Sequence, residues 1–128
     1  MNRRQSIYIG GFKHKNPIPN AARVGNIIAS GVIIGVDPES GNLAETLEDQ
    51  CRFMFVNLKA TAEAGGATTD DIVKLTVWLA DVNNREALNQ EWLRMFPDPA
   101  NRPARQALQM DRPGPHLIKC EFLAVIDQ

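Results

Sequence analysis

A chain of 128 residues fits one domain around a single packed core. With 44% hydrophobic and 23% charged residues it is neither a disordered polar chain nor a membrane protein. The net charge of −1 supplies no electrostatic footprint for nucleic acid.

The elements follow in chain order. Gln5 to Phe12 reads as a strand, with Gly10-Gly11 as a bulge or turn. Pro17 and Pro19 make the next segment an extended loop. Arg23 to Val36 is rich in Val and Ile and contains the turn signal Val24-Gly25-Asn26, which suggests a hairpin or bent strand pair. Asp37-Pro38-Glu39-Ser40-Gly41 is a turn. Thr46, with Asp49 three residues on, opens a helix whose apolar stripe is Leu47, Cys51, Met54, Phe55, Leu58 and Ala62. Gly65-Gly66 stops it. Thr68 to Asp71 is a short turn. Ile72 to Ala80 is the clearest strand, with Val73, Leu75, Val77 and Leu79 on one face and Lys74, Thr76 and Trp78 on the other. Asn83 or Asn84 caps a second helix that buries Leu88, Trp92, Met95 and Phe96 and ends at Pro97 and Pro99. Ala104 to Met110 is a strand. The loop Arg112-Pro113-Gly114-Pro115 leads into the last strand, Leu117 to Ile126, with Ile118, Cys120, Phe122, Ala124 and Ile126 on its apolar face.

The order β-β-β-α-β-α-β-β is that of an α+β domain spanning residues 1–128. Two helices cover only one face of such a sheet. The other face is expected to carry Trp78, Leu123 and Val125 together with Arg105, Lys119 and Glu121. That mixture is too apolar for water and too charged for a core, and it suits a subunit interface enclosing a polar site. Phosphate-binding glycine loops and zinc-protease or serine-hydrolase motifs are missing. His14 and His116 read as surface loop residues. Cys51 and Cys120 have no partner at metal-ligand spacing and read as buried reduced thiols, so no metal is expected. The N-terminal arginines precede no signal-like apolar run, and no segment approaches the ~20 apolar residues of a membrane span. The expected location is therefore the cytoplasm, with neither membrane nor nucleic acid as partner.

Arg105 is the sharpest candidate for chemistry. A guanidinium held at an interface needs a carboxylate or a fork of acceptors. Spacing alone leaves two readings open: an ion pair with Glu121 or with another subunit's acid, or an anchor for a small carboxylate metabolite.

Several segments together resemble the reactive intermediate deaminase (Rid, or YjgF) family, over about Pro17 to Val125. Val24-Gly25-Asn26 with Ser30-Gly31 is similar to the family's "VGN…SG" hairpin. Asp37 to Gly41 is similar to "DPxTG". Asn57-Leu58-Lys59 with Ala64-Gly65-Gly66 resembles "NLK…AGG", and Asp71 to Val77 resembles "DIVKxTV". Asn89 matches the Asn of "VNxxY". Pro103-Ala104-Arg105 matches "PAR", the most diagnostic piece.

The resemblance implies a chorismate-mutase-like fold and a homotrimer, with a central barrel, helices outside and ligand clefts between subunits. It implies hydrolysis of enamine or imine carboxylates to keto acids and ammonia, without cofactor. It gives Arg105 the grip on the substrate carboxylate, and places Gly31, Ala107 and Asn89 around the substrate. Two positions depart from the pattern. Ile18 stands where the family has a tyrosine. Setting Glu121-Phe122-Leu123-Ala124 against the second half of "EIEA" puts Lys119 at the place of the catalytic acid. Glu121 then lies on the same strand face one rise further along, ~6–7 Å away. Lys119 beside Arg105 would make a doubly cationic pocket favouring a dicarboxylate. Without turnover, the same pocket makes a carboxylate-binding trimer, a sensor or partner-binding module.

Overall fold

The computed structural model describes residues 3–10 and 16–127. The strands are β1 (Arg4–Ile7), β2 (Ala21–Val24), β3 (Ile27–Ser30), β4 (Ile33–Ile34), β5 (Ile72–Leu79), β6 (Ala104–Gln109) and β7 (Ile118–Val125). The helices are α1 (Leu47–Ala64) and α2 (Glu86–Met95), with a 3-10 turn at Thr69–Asp71. The strands form one mixed sheet in the order β1-β2-β3-β7-β5-β6, with β4 paired to β7 beyond β3. Only β5 and β6 run parallel, and β6 is an edge. The α+β architecture expected from the sequence is present.

Apolar periodicity builds the core. On α1, Cys51, Met54, Phe55, Leu58 and Ala62 are buried, and Thr46 accepts a hydrogen bond from the Asp49 amide at the helix start. Ile28, Leu75, Val77, Cys120 and Ala124 oppose them from the sheet. Fully buried leucines and isoleucines each contribute roughly 1.5–3 kcal/mol, so this layer dominates stability. Both cysteines are free and buried; burial pushes the Cys51 thiol up to about 12 and raises Cys120 as well.

Four expectations need correction. The first strand ends at Ile7: Tyr8 to Gly10 are not strand, and Gly11 and Phe12 lie outside the described residues. Four strands, not three, precede α1: the segment 23–36 breaks at Gly31-Val32 into β3 and β4, each pairing separately with β7. A bulge between Ile72 and Lys74 rotates Val73 outward, 50% exposed, and leaves Ile72 in the core. Neither Asn83 nor Asn84 caps α2. Asp81 ties up that turn, accepting from the Asn83 amide through its side chain and from the Asn84 amide through its carbonyl, and the helix starts after Arg85.

Buried amides fix the irregular segments. The Gln50 side chain donates to the carbonyls of Ala44 (2.8 Å) and Pro115 (3.0 Å) and accepts from the Leu117 amide (2.9 Å). Asn57 donates to the carbonyls of Ile34 (3.1 Å) and Val36 (2.8 Å). Gly35 runs so close to α1 that an added Cβ would sit 2.4 Å from the Gln50 Cα. Backbone cannot yield as a side chain can, so Gly35→Ala is expected to lose about 3 kcal/mol, read as a lower urea midpoint.

Candidate functional site

Arg105 lies near the start of the edge strand β6, opposite Leu75 of β5. Paired residues of parallel strands point to the same side, and Leu75 is fully buried against the helices. Arg105 therefore faces the helical layer. Its guanidinium carbon sits 4.9 Å from the Trp92 ring centroid, a cation–π contact from strand to helix. Trp92 is held in turn by an edge contact with Phe96, centroids 4.8 Å apart.

No carboxylate answers this cation. Among the described residues the ion pairs are Arg52–Asp49 and Arg94–Glu91, both on helix surfaces. The Arg105 Nη1 is buried without a hydrogen-bond partner. Burial, and secondarily the Arg85 charge, pull its pKa below the ordinary arginine value. Arg85 precedes α2, and Asn89 and Trp92 follow at positions four and seven further on, so all three share one helical stripe. Asn89 is exposed on that stripe. Ala107 is half-buried on the same side of β6 as Arg105.

Contrary to the sequence expectation, Arg105 does not share a sheet face with Lys119 and Glu121 of the same chain. Lys119 pairs with Trp78 and Glu121 with Thr76, and all four point away from the helices. The Lys119 Nζ lies 5.7 Å from the Trp78 ring centroid on that open face. The sheet thus separates Arg105 from Lys119 and Glu121 of the same chain, so neither a doubly cationic pocket nor a Glu121 ion pair forms within one copy. The sequence expectation puts Arg105 on the wrong side of the sheet, because two parallel strands share facing and Leu75 fixes it. The second cation near Arg105 is Arg85, which a helical-spacing search from Asn89 and Trp92 finds in the sequence.

Glu121 lines a recess of about 440 Å³ on the open face, together with Ser30, Lys74, Thr76 and Leu123. The Ser30 hydroxyl accepts from the Phe122 amide at 2.8 Å, which ties β3 to β7 beside Glu121. Gly31 follows Ser30, and its amide donates to the Asn20 carbonyl at 2.8 Å. Ile18, 48% exposed, lies two residues before Asn20. So one chain gathers Arg105, Asn89 and Ala107 on one side, and Glu121 and Gly31, with Ile18 close by, elsewhere. Two strand spacings separate β6 from β7, about 10 Å. His116, expected at the surface, is half-buried, with its Nδ1 enclosed and unpartnered; His14 lies outside the described residues.

The sequence model of the Endoribonuclease L-PSP family matches residues 13–125. The chain belongs to the Rid/YjgF/RutC family. A RutC family protein of Pyrococcus abyssi is 34% identical over 110 residues, 84% of this chain and 85% of that one. The 2-iminobutanoate/2-iminopropanoate deaminase of Salmonella typhimurium is 33% identical over 111 residues, 85% and 87% of the two chains. The crystal structure of Escherichia coli TdcF with bound serine superposes with a TM-score of 0.86 at 25% identity, covering 96% of this chain and 99% of that one. This Rid-family chain shares their fold. No helix among its described residues is long and apolar enough to cross a membrane.

An unpaired, half-buried guanidinium costs stability, since a buried donor without a partner forfeits roughly 1–3 kcal/mol. Methionine would keep the stem packed on Trp92 and remove the orphaned donor. Arg105→Met is expected to stabilise the fold by about 1 kcal/mol in urea unfolding. A loss of stability of that size would mark Arg105 as a structural strut instead.

Proposed function

We propose that this protein hydrolyses a small imine or enamine carboxylate to the 2-keto acid and ammonia, in a pocket completed by a second copy of the chain. One observation carries the reading. Arg105 is preorganised on Trp92, with a buried Nη1 that the fold leaves free. A guanidinium with open donors is matched by a carboxylate. The Salmonella relative is named for imine deamination and the TdcF structure holds an amino acid, and both ligand classes bear a carboxylate.

The chemistry asks little beyond positioning. Water adds to the imine carbon, its proton passes to nitrogen, and the carbon–nitrogen bond breaks to leave a carbonyl and ammonia. A carboxylate that accepts the proton of that water and returns it to the leaving nitrogen completes the cycle. Glu121 takes this role in our reading, in place of Lys119. Glu121 lies in a recess beside Ser30, whereas Lys119 is engaged with Trp78. Asn89 and Ala107 flank the substrate on the Arg105 side.

In a 2-imino acid the imine carbon is bonded directly to the carboxylate. A substrate clamped on Arg105 therefore cannot reach Glu121 of the same chain, about 10 Å away and across the sheet. The catalytic pair comes from two copies. The open face supports this: Ile27, Leu123 and Val125 are 49%, 41% and 39% exposed there, an apolar patch that assembly would cover. A homotrimer closing three sheets into a central barrel accounts for both. Arg85, beside Arg105, favours a substrate with a second acidic group.

In the test, the imino acid is generated in situ and keto-acid formation is followed against the spontaneous rate. Arg105→Ala and Glu121→Gln are each expected to lose 100-fold or more. Refolding the two inactive variants together should restore up to about a quarter of the activity per site, because mixed interfaces can pair intact Arg105 with intact Glu121. Wild-type turnover in Arg105→Ala, or no recovery on mixing, would overturn the reading.

A further inference from the structure

Arg105 is one end of a longer surface between α2 and the edge strand β6. The two elements are joined at both ends. At one end Trp92 of α2 meets Arg105 of β6. At the other, the Gln109 side chain accepts from the Val82 amide at 3.1 Å and donates to the Ala80 carbonyl at 2.7 Å. This ties the connection before α2 to the last residue of β6. Alternation along β6 sets Arg105, Ala107 and Gln109 on one side. The helix returns beside them with Arg85, Asn89 and Trp92 on one stripe. Ala107 and Asn89 lie between the two ends.

Arg85 holds the far end. Its Nε donates to the Val82 carbonyl at 2.7 Å, on the same residue that Gln109 grips. It forms no ion pair among the described residues. Its charge is felt at Arg105, where it adds to the effect of burial. Arg105 to Gln109 spans ~13 Å at ~3.3 Å per strand residue, and Arg85 to Trp92 spans ~10 Å at ~1.5 Å per helix residue. Two cations therefore face one short surface from its two ends, and the residues of neither stripe place an acid between them. A dianion neutralises both, whereas a monoanion leaves one of them unpaired.

We propose that Arg85 makes this protein selective for 2-imino dicarboxylic acids. The inference rests on the reaction proposed above and fixes its substrate class. Arg105 holds the carboxylate next to the imine carbon. The terminal nitrogens of Arg85 hold the second carboxylate, and the methylenes between lie over Ala107. Hydrolysis then leaves a 2-oxo dicarboxylate and ammonia.

The test compares 2-iminoglutarate with 2-iminobutanoate, each generated in situ by an amino-acid oxidase and followed as keto acid above the spontaneous rate. The full-length protein should favour 2-iminoglutarate at least tenfold in kcat/KM. Arg85→Gln should cut that ratio at least tenfold, chiefly through KM for the dicarboxylate, and Arg85→Lys should recover at least half of it. Binding is read separately from turnover. At equal concentration, 2-oxoglutarate should raise the melting temperature of the wild type more than 2-oxobutanoate does, and Arg85→Gln should abolish the difference. If neither imino acid is turned over while that difference appears, the hydrolytic reading falls and the Arg85 subsite stands. Equal kcat/KM for the two imino acids, a ratio unchanged in Arg85→Gln, or equal melting shifts with the two keto acids would overturn the proposal.

Discussion

A guanidinium stacked on an indole, half-buried beside a second arginine and met by no carboxylate, is held against its own electrostatics. The surrounding packing has to supply what the local interaction lacks. Cation–π attraction contributes ~0.5–2 kcal/mol, comparable to the cost of one orphaned buried donor. The balance is carried by the apolar layer beneath. Leu75 fixes which way β6 faces, Leu88 and Phe96 seat the helix that bears Trp92, and Trp92 then sets the guanidinium. Arg105 is thus the last link of a chain that begins in the core, which is how a small domain keeps a cation rigid without neutralising it.

The same sheet that positions Arg105 also keeps it from the acid. Register makes Glu121 a neighbour of Thr76, and Thr76 a neighbour of Gln106, so glutamate and arginine lie at nearly the same level along the strands while pointing to opposite sides. Alternation of side chains across a strand leaves no rotamer that would unite them. On the proposed reading this separation is the reason for assembly. A polar, solvent-facing Glu121 on one copy and an edge-strand Arg105 on another meet only where two sheets adjoin. The apolar residues around Glu121 then serve the interface and the exclusion of water together.

Much of the fold was legible from periodicity. The stripe Cys51, Met54, Phe55, Leu58, Ala62 and the buried positions of β7 follow directly from spacings of 3.6 and 2. Legibility failed where one residue or one pairing overrides a pattern. The bulge after Ile72 reverses the facing of Val73, and no propensity announces it. The break between β3 and β4 depends on each piece finding its own register on β7. The facing of Arg105 is a matter of pairing: only the parallel partner tells which side of the sheet it takes. The expected cap of α2 falls in a turn organised by Asp81, which accepts from the amides of Asn83 and Asn84, and the helix starts only after Arg85.

The turn beside Glu121 and the loop before β7 depend on irregular backbone, and three buried amides specify that backbone. Asn20 accepts from the Ile9 amide with its side chain, while its carbonyl accepts from Gly31. Asn57 satisfies Ile34 and Val36, and Gln50 satisfies Ala44, Pro115 and Leu117. Each of these carbonyls and amides lies outside the regular ladders or at their ends, where β pairing stops and water has poor access. An apolar residue would fill the volume but strand one backbone group at Asn20, two at Asn57 and three at Gln50, each at a cost of about 1–3 kcal/mol that better packing cannot return. Regular strands alone could place Arg105 and Glu121. The glycine turn beside Glu121 and the loop over Lys119 need these amides, and so the polar part of the core is where the chain specifies the shape of its sites rather than the stability of its fold.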